Sequence, residues 1–137
     1  MLKIEKAKKE DRNTMMNLLE KYLYEFSQWD KADVNENGLY GYEYLDCYFE
    51  EENRYPYFIK VDDKIAGLVL ISDHQEVPEE STDFCMSEFF IMHKYRRKGY
   101  GKEAIQLVID YLFKTQRYNA IHLEVFSYNQ NAYEMYK

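Results

Sequence analysis

From Phe89 to Lys102 the chain reads Phe-Phe-Ile-Met-His-Lys-Tyr-Arg-Arg-Lys-Gly-Tyr-Gly-Lys. An apolar strand runs into a basic turn holding Gly99 and Gly101, and a long amphipathic pattern opens directly behind it. A glycine-containing turn at a helix N-terminus aims unsatisfied N–H groups outward, and the helix dipole adds partial positive charge. Such a place binds anions, most often phosphates. Lys94, Arg96, Arg97, Lys98 and Lys102 add five positive charges with no acid among them. The whole chain has a net charge of -7, and removing these five leaves -12. A basic patch on an otherwise acidic protein predicts a specific polyanionic ligand, not general affinity for nucleic acid. Glu88 lies on the strand just upstream and shares a face with Phe90 and Met92. A carboxylate there is costly to bury without a task, which makes Glu88 a candidate general base.

Three phosphate motifs compete for the turn. A P-loop needs Gly-x-x-x-x-Gly-Lys-Ser/Thr, because the hydroxyl must reach a magnesium ion. Here Glu103 follows Gly101-Lys102 and no glycine stands five residues before Gly101, so a P-loop is excluded. A dinucleotide fingerprint tolerates Ala104 at its third glycine. It belongs near the start of an alternating strand–helix series, however, and this turn lies in the last third of the chain. The third motif is carried by Arg96-Arg97-Lys98-Gly99-Tyr100-Gly101 together with a segment downstream, taken up below.

The elements that position these residues are legible from periodicity. Leu2 and Ile4 alternate with Lys3 and Glu5 as a short strand. Asp11 can cap a helix reaching about Trp29, with Met15, Leu18, Leu19, Tyr22, Leu23 and Phe26 at helical spacing. A polar loop follows, then a second helix over residues 42–51. Strands over 57–61 and 65–72 flank the tight turn Asp62-Asp63-Lys64 as a hairpin. A polar, acidic connection leads to a strand over 84–92. The helix behind the glycine turn runs from 99 to about 116, followed by a strand over 120–126 and a helix over 129–137. This order predicts an α/β protein with a mixed sheet. The middle strands are antiparallel, and the last strand–helix–strand crossover makes one parallel pair.

A chain of 137 residues suits one domain with a real core. Hydrophobic content of 46% and aromatic content of 18% argue for a folded globule. Cys47 and Cys85 fit a reducing compartment, and neither cysteine nor histidine spacing suggests a metal. The charged start Met1-Leu2-Lys3-Ile4-Glu5-Lys6 does not read as a signal peptide, and no apolar run nears the ~20 residues needed to span a bilayer. The expectation is a soluble cytoplasmic protein without nucleic-acid or membrane partners.

Arg96 to Gly101 resembles the Arg/Gln-x-x-Gly-x-Gly/Ala motif of the GNAT superfamily of acyl-CoA N-acyltransferases. Asn129-Gln130-Asn131-Ala132-Tyr133-Glu134-Met135-Tyr136 resembles that family's Asn-x-x-Ala-x-x-x-Tyr. With the order of elements, the resemblance covers nearly the whole chain. It implies acetyl-CoA as acyl donor and an amine as acceptor, with no metal. Amides and side chains over Arg96, Arg97, Lys98, Gly99, Tyr100, Gly101 and Lys102 would hold the phosphates. Backbone groups of Ile91, Met92 and His93 would pair with the pantetheine arm, and an N–H near Ile91 or Met92 would hold the thioester carbonyl. The resemblance assigns Tyr136 as general acid for the leaving thiolate and Asn129 as a contact near the thiol end. It also supports Glu88 as the base.

The acceptor is less defined. Ten acids lie between Glu20 and Glu52 against Lys21 and Lys31, which suggests a cationic amine. An acyl-CoA-binding regulatory module without turnover is the alternative. Family members usually continue past the point where this chain stops, Lys137. The expectation is therefore an N-acetyltransferase domain over residues 1–137 with an incomplete C-terminal end, and an uncovered strand edge able to form a homodimer.

Overall fold

The computed structural model describes residues 1–51, 54–74, 83–116 and 120–123. The expected helix over 129–137, with Asn129 and Tyr136, lies outside the described residues, as does the strand beyond residue 123. The elements in chain order are β1 (Leu2–Lys6), α1 (Arg12–Asp30), α2 (Leu45–Glu50), β2 (Arg54–Val61), β3 (Lys64–His74), β4 (Asp83–Ile91), α3 (Tyr100–Gln116) and β5 (Ala120–Leu123). Short 3-10 turns precede α1 and α3.

The strands form one sheet in the order β1-β2-β3-β4-β5. The first four are mutually antiparallel, and β5 runs parallel to β4 from Asp83↔Ala120 to Met86↔Leu123. This is the mixed sheet the sequence predicts. The β2–β3 hairpin turns on Asp62 and Asp63, at φ 51° and 67°. Two successive left-handed residues match the twist of the flanking strands, and Asp tolerates that conformation.

Several element ends differ from the sequence expectation by a residue or more, and three departures have a local reason. Asp11 precedes α1, but its carboxylate accepts the Lys8 N–H at 2.9 Å instead of capping the helix. Helix α2 starts at Leu45, not Tyr42, because the Glu20 carboxylate accepts the N–H groups of Tyr40 and Gly41, both at 2.8 Å. With Gly41 at φ 75°, the chain before Tyr42 cannot be helical. Strand β2 starts at Arg54 and passes through Pro56. The Pro56 carbonyl accepts the Ala7 N–H at 2.9 Å just beyond the end of β1, so its missing N–H faces a frayed edge.

The core joins the sheet to the helices. Met15, Leu18, Leu19 and Tyr22 of α1 are buried, as are Leu45 and Tyr48 of α2 and Ala104, Ile105 and Val108 of α3. Strands β2 and β3 supply Ile59, Leu68, Val69, Leu70 and Ile71. The Tyr22 ring stands 5.7 Å from that of Phe90, so α1 covers the Phe90 face of β4.

Candidate active site

Two irregularities shape the end of β4. Register slips at Ser87 in β4 and at Ala66 in β3, each leaving one extra residue. Such bulges re-aim the side chains beside them. After the first, Leu70 opposes Glu88 and Leu68 opposes Phe90, which keeps Glu88 and Phe90 on one face as expected. Beyond Met86 the described pairing with β5 stops.

The backbone at Ile91 and Met92 then divides. The Met92 N–H donates to the Ala66 carbonyl at 2.8 Å, and the Met92 carbonyl accepts from Tyr95 at 2.9 Å. Both Met92 backbone groups therefore serve the protein itself. In an antiparallel ladder the residue next to a bonded pair turns both groups the other way. Ile91 thus aims its N–H away from β3, and of Ile91 and Met92 it is the one whose N–H has no acceptor among the described residues. His93 opens the 3-10 turn with its side chain 83% exposed.

The glycine turn has the form the sequence predicts. Arg97 takes φ 61° and Gly99 φ 81°, both left-handed, and α3 begins at Tyr100. Left-handed residues ahead of a helix start gather amides into an anion-binding concavity. Among the described residues, nothing accepts a hydrogen bond from the N–H groups of Arg97, Lys98, Gly99, Tyr100, Gly101 or Lys102. A Cβ added at Gly99 would meet nothing within 4 Å, so the concavity is open there. Arg97, Lys98 and Lys102 are exposed and surround it with positive charge, while Gly101 is buried under the first turn. These features fit the phosphates of a coenzyme A-type ligand.

Arg96 has a different place from its neighbours. Its side chain is 6% exposed and forms a bidentate pair with Glu25 of α1, one arm at 2.5 Å. Its Nε donates to the Ile91 carbonyl at 2.6 Å, and its guanidinium lies 5.6 Å from the Phe90 ring centroid. Arg96 therefore presents no guanidinium to a phosphate. Glu25 was not singled out by the sequence, though it left a signal. It lies three residues after Tyr22 on the apolar stripe of α1, where a carboxylate is out of place.

Glu88 is half-buried, close enough to Tyr42 and Tyr48 for its charge to act on both phenols. Burial, then the nearby Glu88 charge, pushes the Tyr42 phenol far above its usual range. Burial also raises the Tyr48 phenol, whose hydroxyl bonds Ser87 at the bulge and Tyr42. The two rings are 6.5 Å apart. Glu88 thus stands in an aromatic surround supplied by α2 and the turn before it.

Half of the ten acids in the acidic stretch are occupied by the fold. Glu20 holds Tyr40 and Gly41, Glu25 holds Arg96, Asp30 caps Ala32, Asp46 pairs with Arg12 and Glu51 pairs with Arg54. A cleft of about 680 Å³ opens between α1 and the end of β4, bordered by Lys21, Tyr24, Gln28, Phe90, Met92 and His93. Among the described residues, no group of three or more His, Cys, Asp or Glu could hold a metal ion, and no helix is long and apolar enough to cross a membrane.

The family model described as acetyltransferase (GNAT) family matches residues 13–137. No curated protein sequence matches the chain. Among solved structures, the aminoglycoside acetyltransferase meta-AAC0020 from an uncultured soil metagenomic sample superposes with a TM-score of 0.72 at 16% identity, covering 98% of this chain and 84% of that one. The ribosomal-protein-alanine N-acetyltransferase of Brucella melitensis biovar Abortus 2308 gives 0.71 at 16% identity, covering 99% and 88%. A tetramutant of the BH1408 protein of Bacillus halodurans gives 0.73 at 19% identity, covering 98% and 89%. At these identities the likeness to the solved structures is one of fold. With the family model spanning all but the first twelve residues, the chain belongs to the GNAT family of acetyltransferases and is an acyltransferase.

Proposed function

We propose that this chain, as one N-acetyltransferase domain over residues 1–137, moves an acetyl group from acetyl-CoA to a primary amine by direct transfer in a ternary complex. The observation that carries the reading is the open concavity over Arg97–Lys102, directly behind β4, with three exposed cations and six amides that, among the described residues, have no acceptor. Backbone amides there hold the pyrophosphate, and Arg97, Lys98 and Lys102 screen it. The Ile91 N–H donates a hydrogen bond to the thioester oxygen as negative charge develops on it. Glu88 takes the proton from the incoming ammonium so that a neutral amine attacks the carbonyl carbon. As the carbon–sulfur bond breaks, Tyr136 gives its phenolic proton to the thiolate and takes up the proton that the acylated nitrogen releases, with Asn129 contacting the donor near the thiol end. The acceptor is a primary amine on a small molecule or a protein.

Two measurements test this. Acetyl-CoA should raise the melting temperature, because a ligand of the native state stabilises it. Free thiol should then appear with acetyl-CoA and a panel of polyamines, aminoglycosides, amino acids and an alanine-initiated peptide. Glu88→Gln should cut that rate by roughly 10²-fold or more while donor binding persists. A melting temperature that acetyl-CoA leaves unchanged would sink the reading. Binding without thiol release across the panel would replace it with an acyl-CoA-binding module.

A further inference from the structure

The Glu25–Arg96 pair joins two elements that the fold would otherwise leave loosely tied. Both side chains are under a tenth exposed. Desolvating two charges costs about as much as their attraction returns, so a buried pair contributes little net stability compared with apolar packing. What it supplies is geometry. Glu25 grips both arms of the guanidinium from α1, and the third donor, Nε, is directed at the Ile91 carbonyl. The next residue, Arg97, is held at φ 61°, a conformation that is strained for a side-chain-bearing residue. Between Ile91 and Arg97 the other backbone ties are the Met92 N–H to the Ala66 carbonyl at 2.8 Å and two turn bonds, Tyr95 N–H to Met92 and Arg96 N–H to His93 at 3.2 Å, while the exposed His93 ring stands 3.5 Å from the Glu25 carboxylate. Arg96 thus ties the start of the concavity to both β4 and α1 through one buried side chain.

We propose that Glu25 is a positioning residue for the acyl donor. It locks Arg96, and through Arg96 it sets the left-handed turn whose amides receive the pyrophosphate. This rests on the donor reading above. It gives Glu25, a residue of the helix on the far side of the cleft, a role in donor affinity that touches no donor atom.

The discriminating variant is the double replacement E25L/R96M, with E25Q and E25D beside it. Removing both charges together leaves neither stranded, so the melting temperature of the double variant should equal or exceed that of the wild type. Isothermal titration is then run with acetyl-CoA, with 3′-phosphoadenosine 5′-diphosphate as the phosphate-bearing fragment, and with S-acetylpantetheine as the phosphate-free one. The expected result is a loss of at least tenfold in affinity for acetyl-CoA and for the diphosphate fragment, with S-acetylpantetheine within twofold of wild type. E25D, which keeps the charge but shortens the reach, should fall between. If E25Q does not fold, E25D and the double variant decide the comparison. Diphosphate affinity within twofold of wild type in the double variant would overturn the role of Glu25 and leave the donor reading intact. Failure of the wild type itself to bind acetyl-CoA or the fragment would overturn both.

Discussion

Gly67 is the position where one added methyl group should do most harm. It sits in β3 beside the Ala66 bulge and opposite Ile91. A Cβ built there would stand 2.0 Å from the Phe90 carbonyl oxygen, 3.0 Å from its carbon and 3.2 Å from the Ile91 Cα. All three are backbone atoms, so no side chain can swing aside. Relief to even a tight contact moves β4 by about 1 Å, which stretches neighbouring ladder bonds such as Met92 N–H to Ala66, now 2.8 Å, past hydrogen-bonding range. Overpacking costs about 1–3 kcal/mol, and each lost bond about 1 kcal/mol more. Stiffening the unfolded chain offsets roughly 0.5–1 kcal/mol. The net expectation for Gly67→Ala is a loss of about 2–4 kcal/mol, or very roughly 8–15 °C in melting temperature for a domain of this size. Thermal and urea unfolding read this directly, with Gly38→Ala as control. Gly38 has positive φ (77°), which Gly67 does not, but open space around it, and should cost only about 1 kcal/mol. Because the displaced atoms belong to Phe90 and Ile91, acetyl-CoA affinity should fall as well. A Gly67→Ala protein melting within about 2 °C of wild type would refute the close approach of β3 and β4, since no backbone can absorb that clash for free.

Three further outcomes follow from the same geometry. Gly99→Ala should cost only about 1 kcal/mol of stability, from its φ of 81°, yet weaken acetyl-CoA binding more than tenfold in titration, because the methyl fills the concavity. Replacing Arg97, Lys98 and Lys102 together by alanine should flatten the salt dependence of donor binding, measured between 50 and 500 mM salt, since these exposed cations act through screened charge. The Tyr42 phenol is raised above its usual 10.0, so folding favours the protonated form. Its contribution to stability is therefore complete below pH 10 and declines as pH climbs above that value. Chemical denaturation from pH 8 to 11 should show that decline, and Tyr42→Phe should reduce its slope.

Much of this protein was legible without a structure, and the legible part is local. Two glycines ahead of an apolar period of 3.6, five cations and no acid specify an anion-binding helix start, because φ preferences and the helix dipole act over a few residues. Alternation and turn residues likewise specified the strands and their order along the chain, and the strand–helix–strand crossover specified the parallel closing pair. The sequence alone also placed Glu88 on the face of Phe90, although the bulge at Ser87, which period-2 reading cannot see, shifts which residues precede it on that face. What only the tertiary structure decided depends on partners far apart in the chain. Arg96 and Glu25 are separated by 71 positions, so nothing near either one says that the motif arginine faces inward while Arg97 faces solvent. The use of Met92 by Ala66, which leaves Ile91 as the donor facing away from β3, is a fact of strand register. The division of the acids between Glu20 and Glu51 into loop anchors and ion pairs was equally hidden, because a carboxylate's role is set by what the fold brings beside it.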